Sequence, residues 1–167
     1  DMILLDDNFA TLVGAVEEGR RIYDNVRKFV KYTMTSNTAE VLTLLLAPLL
    51  GLPLPLLPIH ILWINLVTDG LPGLALTVEP AERDVMRRPP RPPQESLFGR
   101  GLWQHMTGIG SLMSALALLA LAWSLGEGAE AWQTLTFTIL VFAQLMHVLA
   151  IRSERDSLFA RGRAGSP

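Results

Sequence analysis

The chain has 167 residues, half of them hydrophobic, with 14 Lys and Arg against 16 Asp and Glu, a formal net charge of −2 and no cysteine. A charge so near zero names no partner, and nucleic acid is not expected to be one. The lack of cysteine excludes disulfide staples and thiolate metal sites.

The first segment, Asp1–Asp7, reads as a short apolar strand ending in acids. Asp7 or Asn8 can then cap a helix by accepting hydrogen bonds from its unpaired first-turn amides. From Phe9 no proline intervenes until Pro48, so Phe9–Leu46 reads as one nearly continuous helix of ~55–60 Å. That exceeds a ~30 Å hydrocarbon core. Its charged first half, 9–28, must therefore stand in water as a stalk.

Four apolar stretches follow: 29–50, 56–78, 102–125 and 132–151. Each is long enough to cross a bilayer. Buried helices of a soluble bundle seldom stay apolar on every face over such lengths. All Lys and Arg fall in three blocks, Arg20–Lys31, Arg83–Arg100 and Arg152–Arg163. The connections Gly51–Pro55 and Gly126–Ala131 carry none. This alternation is the positive-inside pattern and places both termini and the middle loop in the cytoplasm. The expected fold is an all-α membrane protein, a four-transmembrane-helix bundle (29–152) with a long cytoplasmic stalk helix on the first span. No signal peptide is visible.

Pro48, Pro53, Pro55 and Pro58 close the first span and form an outer hairpin. The second span is expected to break at Asp69-Gly70-Leu71-Pro72, because Pro72 removes an amide donor and Gly70 loosens the turn. Freed carbonyls at membrane depth are tolerated where the backbone lines a cavity or an ion path. The loop Glu79–Arg100 is proline-rich and reads as stiff rather than helical. Residues 153–167 form a cytoplasmic tail.

Within the spans only Glu40 and Asp69 are acids at depth. A carboxylate at mid-membrane costs ~2.5–3.5 kcal/mol on insertion scales, so it is functional or paired. No basic residue lies deep in any span, and Lys31 is more than two helical turns below Glu40. Asn37 and Glu40 share one helical face, as do Asn65, Thr68 and Asp69. On the last span Gln144 and His147 are spaced alike. Asn37, Glu40, Asn65, Thr68, Asp69 and, more weakly, Gln144 offer roughly eight side-chain oxygens, enough for the ~6–8 ligands of Ca²⁺. Two carboxylates neutralise one divalent ion. Gln144 reads as an amide at the edge, His60 and His147 as no transition-metal cluster, and His147 as an interhelical hydrogen bonder. Thr33, Thr35 and Ser36 are expected to bond back to their own helix. Two neighbouring carboxylates in a low dielectric disfavour double ionisation, so protons are expected to exchange for the cation.

The runs DDNFATLVGAVEEGRRIYDNVRKFVKY, SNTAEV, LPIHILWINLVTDGLPGLAL and MRRPP resemble type II P-type ATPases of the calcium-pump branch, in a bacterial-like form. The likeness is dense from Asp1 to about Pro92 and looser to about Phe159. It implies that the four spans match the family's fifth to eighth helices. Asn37 and Glu40 then fall on fifth-helix ligands, Asn65, Thr68 and Asp69 on sixth-helix ligands, and Gln144 on the eighth-helix position. Ala39 replaces a glycine common beside that Glu. Gln144 stands where a two-site calcium pump has Glu; sodium and proton-potassium relatives share such a Gln, but they have Asp at the position of Asn65. The resemblance implies Ca²⁺ as the transported ion, with ATP and Mg²⁺ acting only in a full-length parent. Residues 1–8 would be the tail of its phosphorylation domain. The phosphorylated DKTG aspartate, the nucleotide and actuator domains and the remaining helices do not occur in these residues. The expected function is the cation-binding membrane part of a Ca²⁺-exporting pump in a bacterial cell membrane, inactive alone. Its partners would be the lipid bilayer and the rest of the pump. The alternative is a stand-alone membrane interaction or regulatory remnant.

Overall fold

The computed structural model describes residues 8–82, 84–90, 92, 99 and 101–152. The expected strand and phosphorylation-domain tail (1–7), the candidate cap Asp7 and the tail 153–167 lie outside them. Among the described residues the secondary structure is entirely helical. We label the helices α1 (Phe9–Leu49), α2 (Pro58–Thr77), α3 (Leu102–Gly126) and α4 (Trp132–Ile151).

α1 runs for 41 residues, ~60 Å. Asn8 caps it, its side chain accepting from the Ala10 amide at 3.0 Å. The helix outlasts the expected end at Leu46 because Pro48 falls in the final turn, where its missing N–H disturbs little that follows. Termination comes from Gly51 at φ 73°, a left-handed conformation that a Cβ would strain. The Leu52 amide reaches back to the Ala47 carbonyl at 2.9 Å and the Gly51 amide to the Pro48 carbonyl at 3.1 Å, closing a Schellman motif. Leu52 packs with Leu46 and Ala47 as that motif favours.

Three of the four expected spans are long and apolar enough to cross a membrane: Pro58–Thr77, Leu102–Gly126 and Trp132–Ile151. The upper half of α1 is more polar, diluted by Thr33, Thr35, Ser36, Asn37, Thr38 and Glu40. The bundle is inverted relative to a water-soluble one. Leu45, Leu62, Leu66, Leu74, Leu119 and Phe142 are exposed, while Thr35, Ser36, Thr43, Ser114, Thr136 and Gln144 are buried. Apolar outside and polar inside is the arrangement for hydrocarbon, which rewards no burial of Leu but penalises any exposed hydroxyl or amide. The chain is a multi-pass membrane protein.

α1 packs most extensively against α3, and α3 against α4. The middle layer draws on all four helices through Ala39, Ile64, Met113, Ala117 and Leu140. Tyr32, Leu76 and Ile151 fill one end and Ala47, Leu118 and Leu121 the other. The tightest approach is at Gly110, where an added Cβ would stand 2.8 Å from Thr38 Cγ2 and 3.2 Å from the Thr35 carbonyl oxygen. Nearby, Thr43 donates to Ser114 at 3.1 Å across the same interface.

The loop after α2 is less of a free linker than its prolines imply. It contains a 3₁₀ turn, Val85–Arg87, and is clamped to the lower part of α1. Asn25 satisfies the orphan carbonyls at the end of α2, donating to Thr77 at 3.1 Å and Glu79 at 2.8 Å. Arg20 donates to the Val85 and Arg88 carbonyls at 2.8 and 2.7 Å. Lys28, 3 % exposed, meets Glu82 at 2.8 Å, and Arg88 reaches Asp24 at 2.7 Å, Asp84 at 2.6 Å and Glu82. Burial pushes the Glu82 carboxyl up, but Lys28 and Arg88 together hold it below the ordinary glutamate range. Asp84 first, then Glu82 and Asp24, raise Arg88. A depressed carboxyl contributes stability above its unfolded value and loses it as pH falls through the folded one. The clamp therefore persists at neutral pH and fades only in acid, below the usual ~4.3.

Candidate cation site

Tyr32, Ser36 and Glu40 recur at every fourth position of α1 and so line one face. That face meets α2 where its geometry changes. Residues Ile64–Asp69 form a π-helical turn, and Gly70–Thr77 resume the α-helix with Gly70 itself in right-handed helical conformation. The expected break at Gly70 and Pro72 is thus corrected: the chain stays helical, and the irregularity lies one turn earlier. The reasoning behind the expectation still bears on one atom. An α-helical N–H at position 72 would bond to the Thr68 carbonyl, and Pro72 has none. The Tyr32 hydroxyl donates to that carbonyl instead, at 2.8 Å. A side chain from α1 thereby replaces the helix's own donor, and the wide turn can persist without an unsatisfied group.

The two acids come together at this turn. Glu40 and Asp69 are 4 % and 5 % exposed, and close enough for their charges to interact. Gln144 of α4 donates from Nε2 to Glu40 Oε1 at 2.9 Å, and Asn65 Nδ2 lies 3.5 Å from Glu40 Oε2 while donating to the Ile61 carbonyl at 2.9 Å. No ion pair to Glu40 or Asp69 is found among the described residues; Lys28 is engaged by Glu82 instead. Tyr32 and Ser36 stand beside Asp69 without closing a hydrogen bond to it. Both Asp69 oxygens, Ser36 Oγ and Gln144 Oε1 are buried with no hydrogen-bond partner. Four unsatisfied oxygens around two carboxylates form a donor set suited to a hard cation.

Of the residues expected at the site, Glu40, Asn65, Asp69 and Gln144 converge. Thr68 is buried and contributes a carbonyl already taken by Tyr32. Asn37 is half-buried on α1, and no hydrogen bond joins it to Glu40, Asp69 or Gln144 among the described residues. Gln144 is not at an edge: it is wholly buried. Thr35 bonds back to the Lys31 carbonyl at 2.7 Å as expected, but Thr33 and Ser36 do not. His60 serves its own helix end, accepting from the Leu57 amide at 3.2 Å and packing on Phe137. His147 is the interhelical bonder it was expected to be, with His105 as partner at 2.8 Å. Tyr32 and Ser36 were missed as site residues, although their spacing from Glu40 and the missing donor at Pro72 were both visible in the sequence.

Comparison with known proteins agrees with this geometry. The chain is 48 % identical to the Calcium-transporting ATPase of Bacillus subtilis (strain 168) over 163 residues, covering 96 % of this chain and 18 % of that protein. It is 40 % identical to Calcium-transporting ATPase 1 of Bacillus cereus (strain ATCC 10987 / NRS 248) over 184 residues, covering 97 % of this chain and 20 % of that protein. The chain thus spans about a fifth of the length of these relatives. The family described as Cation transporting ATPase, C-terminus matches residues 53–167, more than half of the chain. Paired buried acids, an inverted bundle and this match agree, and the chain belongs to the cation-transporting ATPase C-terminal family.

Proposed function

We propose that this chain is the cation-binding membrane part of a P-type ATPase that exports Ca²⁺, in exchange for protons. The observation that carries the reading is the convergence of buried Glu40 and Asp69, with four unsatisfied oxygens around them. Asp69, Glu40, Ser36 and Gln144 supply oxygen to the ion, with Asn37, Asn65 and Thr68 completing the shell. Two carboxylates neutralise one divalent ion, so the site holds one Ca²⁺ at a time. When the ion leaves, protons offset the repulsion between the two carboxylates.

In this reading the upper half of α1 is the fourth membrane span and residues 9–28 a cytoplasmic stalk. The clamped loop after α2 then lies on the cytoplasmic side with both termini. The chain has no cysteine, so single cysteines report its topology cleanly. Gly51 needs its positive φ, so the outer probes belong at Leu54 and Gly126 and the inner one at Met86, which is 41 % exposed. Leu54→Cys and Gly126→Cys should label from outside intact cells and Met86→Cys should not. Outside labelling of Met86→Cys would reverse the orientation.

ATP hydrolysis and Mg²⁺ binding belong to the phosphorylation and nucleotide domains of the pump, with which this part must work. The full-length protein should form an acid-stable phosphoenzyme from ATP only when Ca²⁺ is present. The 167 residues alone should form none. Phosphoenzyme formation indifferent to Ca²⁺ would refute the reading.

A further inference from the structure

Two imidazoles meet outside the cation site. His105 stands in the first turn of α3, and His147 one turn beyond Gln144 near the end of α4. Their Nε2 atoms are 2.8 Å apart and the rings are stacked, with centroids 5.1 Å apart. His147 is 6 % exposed and its Nδ1 is buried with no hydrogen-bond partner. One side of its ring faces Tyr32, centroids 6.0 Å apart. His105 is half-exposed, which leaves access from outside the bundle. The proposed transport chemistry uses neither ring.

Two neutral imidazoles this close share one hydrogen bond, in which one Nε2 donates and the other accepts. Nε2 atoms converging from two different helices can also hold a metal between them. On a tetrahedral ion with metal–nitrogen bonds of ~2.0–2.1 Å, two nitrogens stand ~3.3–3.4 Å apart. The pair would have to open by roughly half an ångström, which rotation of the half-exposed His105 side chain supplies. Imidazole suits Zn²⁺, Ni²⁺ and Co²⁺, whereas Ca²⁺ prefers oxygen. With no thiolate in the chain, water reaching the open side of His105 completes the coordination.

We propose that His105 and His147 form a transition-metal site that pins α3 to α4 at the end of the bundle nearest Tyr32. On binding, the proton between the two Nε2 atoms moves to the Nδ1 of the donor ring, so no net proton leaves. The lone polar atom in the pocket, His147 Nδ1, is the atom that then carries one. Because Tyr32 packs on His147 and also holds the Thr68 carbonyl next to Asp69, a metal here stiffens the support of the cation site.

The test is Co²⁺ binding by the full-length protein in mild detergent, with Ca²⁺ in excess to fill the oxygen site, read by visible absorption. A single saturable Co²⁺ band that Zn²⁺ displaces is expected. His105→Gln and His147→Gln should each weaken it at least about tenfold while preserving helical circular dichroism. No saturable band, or unchanged affinity in the double variant, overturns the proposal. Should a variant lose helical structure, the unmutated protein still decides. Zn²⁺ should protect His105 and His147 from diethyl pyrocarbonate, read by peptide mass spectrometry, and modification at an undiminished rate overturns the site. Neither readout depends on Ca²⁺ transport, so failure here leaves the proposed function standing.

Discussion

Replacing Asp69 with asparagine in the full-length protein is expected to shift the Ca²⁺ dependence of phosphoenzyme formation by about a hundredfold or more, the range over which ligand charge tunes calcium sites. Asp69 sits at the end of the π turn, 5 % exposed, with both oxygens lacking a hydrogen-bond partner. Asparagine has the same shape, so the fold should persist and the loss should report charge. One carboxylate would then face a divalent ion alone at membrane depth. Gln144→Ala is the comparison arm. An amide at the edge would lose little, but Gln144 is fully buried and donates to Glu40 Oε1 at 2.9 Å. Its removal takes that donor from a buried carboxylate and leaves a cavity, so a measurable loss is expected, smaller than for Asp69→Asn because no charge is removed. An Asp69→Asn protein with the parent's Ca²⁺ dependence would mean that the site lies on other helices.

The acids were legible in the sequence because charge is rare in apolar stretches and helical spacing puts neighbours on known faces. Helix positions were legible for the same reason: α3 and α4 run within a residue of the expected limits. What hydropathy could not convey was depth within the bundle. Gln144 looked peripheral because its role was carried over from a resemblance, whereas its burial depends on how closely α4 meets α1. The π turn was also hidden, since proline marks a missing donor but not where the helix absorbs the disturbance. The loop after α2 was misread in degree. Its prolines do prevent an α-helix, yet its charges were taken as solvated, although Lys28, Asp24 and Arg20 on α1 were spaced to receive them. Tyr32 shows what pattern reading alone could still have recovered: it shares the Glu40 face, and Pro72 leaves a carbonyl in want of a hydroxyl.

The second large effect is expected at Gly110, which makes no contact with the cation site. Helices in a bilayer gain nothing from hiding apolar surface from lipid, so close backbone approach and dispersion contacts hold them together. At Gly110 the approach leaves no room: a Cβ would lie 2.8 Å from Thr38 Cγ2, 2.9 Å from Thr38 Cβ and 3.2 Å from the Thr35 carbonyl oxygen. Thr38 cannot simply turn aside, because its hydroxyl donates to the Met34 carbonyl at 2.7 Å and fixes its rotamer. The Thr35 oxygen belongs to the backbone of α1 and moves only with the helix. Gly110→Ala should therefore push α1 and α3 apart along the interface that also holds the Thr43–Ser114 hydrogen bond. Overpacking of this kind costs ~1–3 kcal/mol, and a larger side chain, Gly110→Leu, should prevent assembly. Gly108 on the same helix is the control, for a Cβ there meets nothing within 4 Å. Gly108→Ala should leave stability unchanged or raise it by up to ~1 kcal/mol, since alanine is the better helix former. Thermal unfolding of the full-length protein in detergent separates the two: a drop for Gly110→Ala beside an unchanged Gly108→Ala is expected. Equal behaviour of the two variants would show that α1 and α3 do not cross as closely as the structure places them.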